Sequence, residues 1–355
     1  MNKANSTTIN RIIAEDIERI IDATDVDWGA FAGKRVLITG ASGFLPAYMV
    51  ETLLYLNHAR NMGVHITALV RNRDNFDKRF CHHLGNPNLS VLVQDVSTPI
   101  KLELQHHFII HAASQASPKY YGIDPVGTLS ANVLGTMQLL ELARSHPVIS
   151  FLYFSSGEVY GETQHVPTRE ADYGYLDPTA VRSCYAESKR MGENMCVSWH
   201  TQYQVPAKIV RPFHTYGPGM KLDDGRVYAD FVRDIIENRS IVVKSEGTAS
   251  RAFCYLADAT AGFFTVLLKG ENAIPYNIGN SQAEISVMEL AHLLVDLFPE
   301  KRLGVVREGL KTGKAYMQSP ISRNCPEISL INSLGWTPKT SLPEGFKRTI
   351  ESYLI

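Results

Sequence analysis

Between Lys34 and about residue 215 the chain alternates two kinds of stretch. Short β-branched or aromatic runs, RVLIT (35–39), HITALV (65–70), LSVLV (89–93), FIIHAA (108–113), SFLYFSS (150–156) and AKIVRP (207–212), are separated at several points by helix-compatible segments such as 46–60 and 130–145. Parallel strands need long crossovers, usually helices, so this order implies a parallel sheet covered on both faces. Beyond residue 215 the alternation weakens, and helical patterns near 226–238, 286–298 and 341–353 imply a smaller lobe. The expected class is α/β: a doubly wound parallel sheet over 34–215, with a return near 251–280, and a C-terminal lobe occupying most of 216–355.

Ahead of this domain lies an extension, residues 1–33, in which Ile9, Ile12, Ile13, Ile17, Ile20 and Ile21 recur at helical spacing, with Ser6 or Thr7 available as a cap. It reads either as a helix packed on its own domain or as a dimer contact. The formal net charge of −1 and the absence of a Lys/Arg block argue against a nucleic-acid partner. Five cysteines, scattered and without a CxxC pair, read as reduced thiols rather than a disulfide frame or a zinc site, and no metal is expected. No apolar run reaches the roughly 18 residues of a membrane span, and MNKANSTT lacks a signal peptide's apolar region, so a cytoplasmic protein is expected.

Directly after the first strand comes TGASGFLPAYMV (39–50), with glycines at 40 and 43 and Pro46 where a third glycine would complete a dinucleotide-binding turn. In such a turn the first glycine permits the bend and the second lets backbone approach a pyrophosphate; only the third, which eases helix-to-strand packing, is missing. Proline suits a helix's first turn, and Phe44 and Leu45 still offer amides to a phosphate. Further along, YAESK places Tyr185 and Lys189 four residues apart on one helical face, where a cation can favour a phenolate. Upstream, FSSGEVYG sets Ser155, Ser156 and Glu158 at the carboxyl end of a strand, where ligands bind in open parallel sheets.

Taken jointly, TGxxGF, HAAS (111–114), NVLGT (132–136), the serine pair, YxxxK, RPFHTYGPG (211–219), RAFCYLAD (251–258) and YNIGN (276–280) resemble the extended short-chain dehydrogenases/reductases of the NAD-dependent epimerase/dehydratase family. Within that family, ASQASPKYYGIDPVGTLSANVLGT, RSCYAESKR, DDGRVYADF and RAFCYLAD look most like UDP-glucuronate decarboxylases, the UDP-xylose synthases. The resemblance implies a Rossmann-type domain holding a nicotinamide cofactor, a C-terminal lobe gripping a nucleotide sugar, and a homodimer. It implies cofactor contacts from Gly40, Ser42, Gly43, Phe44, Leu45, Arg71, Asn72, Asp95, Val96, Ala112, Ala113 and Ser114, together with Tyr185 and Lys189. Lys119, Tyr121, His214, Arg226 and Arg251 are the implied substrate contacts. Tyr185, Lys189, Ser156, Glu158 and Asn132 are the implied catalytic set: Tyr185 takes the proton of the sugar C4 hydroxyl as hydride leaves C4, and the 4-ketone activates C5.

Three positions depart from the pattern. Arg71 stands where NAD-binding relatives have aspartate; it can accept a 2′-phosphate or lie over adenine, so NAD is expected with NADP as the alternative. Gly157 replaces the aspartate of dehydratases and the serine of decarboxylases, removing an acid for a hydroxide leaving group and leaving room for a differently shaped sugar. His214 replaces an asparagine that contacts the substrate phosphate and offers itself as a substitute acid. Decarboxylation is the expected reaction. A 4-epimerase, a 4,6-dehydratase and, in another class, a non-catalytic dinucleotide sensor or scaffold are the alternatives.

Overall fold

The computed structural model describes residues 8–102, 104–308 and 322–355. The first helix, α1 (Arg11–Ala23), is capped by Asn10, whose side chain accepts from the Ile12 amide at 3.0 Å; Ser6 and Thr7 lie outside the described residues. Its Ile12 is buried, and its Ile17, Ile20 and Ile21 join the core of its own chain, the helix packing against α2 (Phe44–Arg60) and α7 (Leu256–Lys269).

Seven parallel strands form the main sheet. They are β1 (Arg35–Thr39), β2 (His65–Val70), β3 (Leu89–Val93), β4 (Phe108–His111), β5 (Ser150–Phe154), β6 (Ala207–Pro212) and β10 (Pro275–Ile278), in spatial order β10-β6-β5-β4-β1-β2-β3. The order reverses direction between β1 and β4, which opens a crevice at their carboxyl ends. Side chains leave a strand alternately to its two faces, and β1 shows the result: Val36 and Ile38 join the core shared with α1, α2 and α7, while Leu37 joins the core under α4 (Pro125–Ser145) and α5 (Cys184–Tyr203). Both faces are therefore apolar, as a sheet buried on both sides requires.

Two small sheets and three helices build the lobe. In the first sheet, β9 (Ser250–Tyr255) pairs with β7 (His214–Tyr216), β11 (Glu284–Ser286) and β13 (Arg323–Asn324); in the second, β8 (Ile241–Val243) pairs with β12 (Val305–Arg307). Helices α6 (Val227–Ile236), α8 (Val287–Asp296) and α10 (Leu342–Glu351) pack on them. Two shorter helices, α3 (Arg73–Arg79) and α9 (Ser329–Asn332), complete the set. No helix among the described residues is long and apolar enough to cross a membrane.

Candidate active site

The turn after β1 has the shape its glycines foretold. Gly40 sits at φ +65°, and a Cβ there would lie 2.8 Å from the Ala113 Cα, so only glycine lets the two strand ends approach. The Gly43 amide donates to the Gly40 carbonyl at 2.7 Å, and Gly43 is the N-cap of α2. Pro46 is the third helical residue, where a missing N–H leaves no intrahelical acceptor unmet; the helix continues through it to Arg60. The amides of the first turn remain available, and Gly43, Phe44, Leu45 and Pro46 line one wall of a cleft of about 230 Å³.

The opposite wall comes from the end of β5 and the start of α5. Tyr185 and Lys189 both line the cleft and are almost fully buried, at 6% and 2% exposure. Lys189 donates to the Phe154 carbonyl at 2.6 Å and lies 5.8 Å from the Tyr185 ring centre. Burial pushes the Tyr185 phenol up to about 12, the Glu158 charge adds to this, and the Ser156 hydroxyl bonded to it and the Arg226 charge pull it back. Burial likewise pushes the Lys189 ammonium down to about 7, against the supporting charge of Glu193. Arg226, read in the sequence only as a substrate contact, thus also favours the phenolate; it lines the cleft and is anchored by Asp224 at 2.6 Å and the Ala116 carbonyl at 3.0 Å.

Ser156 caps the short turn Gly157–Tyr160, accepting from the Glu158 amide at 3.2 Å, and this turn carries Glu158 into the cleft. There its carboxylate accepts from Arg182 at 3.2 Å. Arg182, which sequence reasoning missed, also lies over the Tyr121 ring, 5.4 Å from its centre. Its position three residues before Tyr185, inside RSCYAESKR, was the available signal. Asn132 is fully buried in α4 and donates to the Ser188 hydroxyl at 2.9 Å, while its Oδ1 has no partner. Beneath the cleft lies a buried relay that no motif announced. Ser155 donates to Glu193, Glu193 holds Arg211 at 2.6 Å, and Arg211 donates to the Tyr160 hydroxyl at 2.8 Å.

Four of the expected positions have surroundings that the sequence did not show. Tyr121 is 1% exposed, stacked on Tyr185 at 5.1 Å, and its hydroxyl donates to the Ala116 carbonyl. Lys119 pairs with the Asp223 carboxylate at 3.3 Å. Gly157 leaves no extra room, because the Phe213 ring fills the space within 3.3 Å of where its Cβ would stand. His214 lines the cleft, but burial and then the Arg251 and Arg226 charges push its imidazole down to about 3. It is neutral near pH 7 and carries no acidic proton of the kind a hydroxide leaving group needs.

Most of the remaining sequence-derived residues follow the carboxyl ends of β1 to β4, whereas Arg251 lies on β9 of the lobe. Ala112 and Ser114 line the cleft, with Ala113 between them against Gly40. Arg71 is exposed just past β2, Asn72 caps α3 by accepting from the Asn75 amide at 2.8 Å, and Ser42 lies in the glycine turn. Asp95 accepts from both the Ser97 amide and hydroxyl, which, with Arg71 as a smaller cause, hold its carboxyl below the usual range. Buried Val96 nests in α4 at Gly135, where a Cβ would come within 2.8 Å of it. Arg251 is tied to the Ser250 and Ser322 carbonyls at 2.7 and 3.2 Å. A nicotinamide dinucleotide fits this cradle: glycines permit close approach, first-turn amides line it, and buried Ser114 Oγ, His214 Nδ1 and Asn324 Oδ1, all on cleft-lining residues, lack partners.

Residues 36–279 match the model of the NAD dependent epimerase/dehydratase family. A UDP-glucuronic acid decarboxylase of Arabidopsis thaliana (number 6) is 34% identical over 326 residues, covering 91% of this chain and 90% of that protein. A UDP-glucuronic acid decarboxylase of Xenopus tropicalis is 33% identical over 322 residues, covering 90% and 72%. Among solved structures, UDP-glucose 4-epimerase of Thermotoga maritima superposes with a TM-score of 0.75 at 22% identity, covering 90% of this chain and 98% of its own. UDP-glucuronic acid 4-epimerase of Bacillus cereus, solved with UDP-glucuronic acid and NAD, gives 0.74 at 21%, covering 90% and 98%. These structural likenesses establish the Rossmann-type fold, and the family model and relatives together go further: the chain belongs to the NAD dependent epimerase/dehydratase family.

Proposed function

We propose that this chain is a nucleotide-sugar enzyme of the UDP-glucuronate decarboxylase type, with Tyr185, Lys189, Ser156, Glu158 and Asn132 as its working set. The observation that carries the reading is the convergence of Tyr185, Lys189, Ser156 and Glu158 on one cleft whose other wall is the glycine turn. Bound there, NAD supplies an acceptor for the hydride of the sugar C4. Tyr185 takes the C4 hydroxyl proton. Its phenolate is opposed by burial and by Glu158, and favoured by Ser156, Arg226 and whatever charge Lys189 retains. Once C4 is a ketone, the C5–C6 bond of a uronic acid breaks with its electron pair drawn into the carbonyl. CO2 departs neutral and C5 gains a proton. No acid for a leaving group is required, which fits Gly157 and a neutral His214. Glu158, its charge offset by Arg182 at 3.2 Å, holds the substrate or a water beside C5. Tyr185 returns its proton when C4 is reduced.

Arg226 and Arg251 take the diphosphate, and the unpartnered Asn324 Oδ1 is an acceptor for a hydroxyl of the bound nucleotide sugar. NAD is proposed as the cofactor, as in the Bacillus cereus UDP-glucuronic acid 4-epimerase solved with NAD, with NADP the alternative that exposed Arg71 keeps open. Exposed Val126, Leu134, Met137 and Met191 on α4 and α5 fit a homodimer built on those helices, and five free thiols fit a reducing cytoplasm. Incubation with UDP-glucuronate and NAD in deuterated water tests the reading. The expected product is UDP-xylose labelled at C5. Unchanged mass with inversion at C4, loss of water, or cofactor binding without turnover would each refute it.

A further inference from the structure

Away from the cleft, Glu51 lies on α2, eight residues or about 12 Å along the helix from its Gly43 cap. Its side chain is 6% exposed. The adjacent His82 and His83, in the turn that follows α3, approach its two oxygens separately: His82 Nε2 is 3.0 Å from Oε1 and His83 Nε2 is 2.8 Å from Oε2. The two imidazoles are themselves mostly shielded, at 12% and 20% exposure, and their ring centres are 4.3 Å apart. All three ligand atoms fall within 4.8 Å of one another, and this is the His/Cys/Asp/Glu cluster with that property among the described residues.

We propose that Glu51, His82 and His83 form a divalent-cation site of the zinc class, clamping the 81–83 turn onto α2. A cation at roughly 2.0–2.2 Å from each of three ligand atoms keeps those atoms roughly 3–3.5 Å apart, and the three ligand atoms here already fall within 4.8 Å of one another. Two imidazole nitrogens and one carboxylate suit zinc and its borderline neighbours, whereas magnesium and calcium take oxygen ligands. With three protein ligands, the fourth position falls to water on the exposed side of the histidines. The Glu51 charge also reaches the Arg79 guanidinium, which donates to the Gly219 carbonyl at 2.9 Å. The sequence concealed the site because its two halves are 31 and 32 residues apart and no ligand spacing of a familiar kind joins them.

Untagged full-length protein, stripped with a chelator, is titrated with Zn2+ against a chromophoric competitor and with Co2+ by visible absorption. The expected result is one Zn2+ per chain with a dissociation constant below about 10 µM. His82→Ala and His83→Ala should each weaken binding about tenfold or more and remove the visible Co2+ band, while His146→Ala leaves both unchanged. His82→Gln serves where an alanine variant fails to melt cooperatively. Absence of saturable binding, or binding that survives the change of either histidine, overturns the proposal and leaves the histidines as hydrogen-bond donors to a buried carboxylate.

Discussion

Tyr185 illustrates how one side chain answers to several forces. Its ring is stacked on Tyr121, with an interplanar angle of 14°, and its hydroxyl is the sole part with chemistry to perform. Tyr185→Phe keeps the stack and removes only the proton acceptor, so nucleotide-sugar binding measured calorimetrically should change little while turnover falls about 10³-fold. Residual turnover above about a tenth of the parent rate would take Tyr185 out of the mechanism. The i,i+4 spacing made Tyr185 and Lys189 legible together, yet the balance of charges around them was not. The sequence placed the supporting cation at Lys189, whereas burial drives that ammonium toward neutrality and Arg226, 41 residues beyond Tyr185, contributes to favouring the phenolate. Spacing along one helix is a local property; the field at a buried phenol is set by elements that meet only in three dimensions.

At the scale of elements, the strand-to-helix corner was the most readable part of the chain because its requirements are steric and local. Strands β1 to β6 and helix α2 fall where apolar runs and the glycine turn placed them, and Pro46 was tolerated for the reason its position suggested. What stayed hidden was what faces each glycine. Gly157 read as spare volume, but the neighbouring Phe213 fills it; Gly40 read as a turn residue, and its limit is the Ala113 backbone one strand away. Gly40→Ala should therefore cost about 2 kcal/mol or more, combining a left-handed φ with a backbone contact that cannot swing aside. It should also lower the dinucleotide retained on purification, measured by denaturing the protein and quantifying what is released. A variant that melts and retains cofactor like the parent would show that the corner relaxes without loss.

For the whole molecule, the N-terminal helix is what ties sheet, cofactor helix and lobe together. Its isoleucines were visible as an apolar stripe, but Asp16, within the same helix, carries the less expected role. Fully buried, it accepts from Tyr48 of α2 at 2.9 Å, from Tyr255 of β9 at 2.6 Å and from Arg348 of α10 at 2.7 Å. Partners 32, 239 and 332 residues away leave no periodic trace, which is why no pattern along the chain could assign them. Burial raises the Asp16 carboxyl despite these donors, so the charge is held against a desolvation cost and the hub favours one arrangement of the parts more than it adds net stability. Removing one member is a different matter, because two buried phenols and a largely buried guanidinium then lose their common acceptor. Asp16→Ala should lower the unfolding free energy by about 3 kcal/mol, read as a fall in the urea midpoint at an unchanged slope. A loss below about 1 kcal/mol would mean that water replaces the carboxylate at the hub and that the isoleucines alone hold the helix in place.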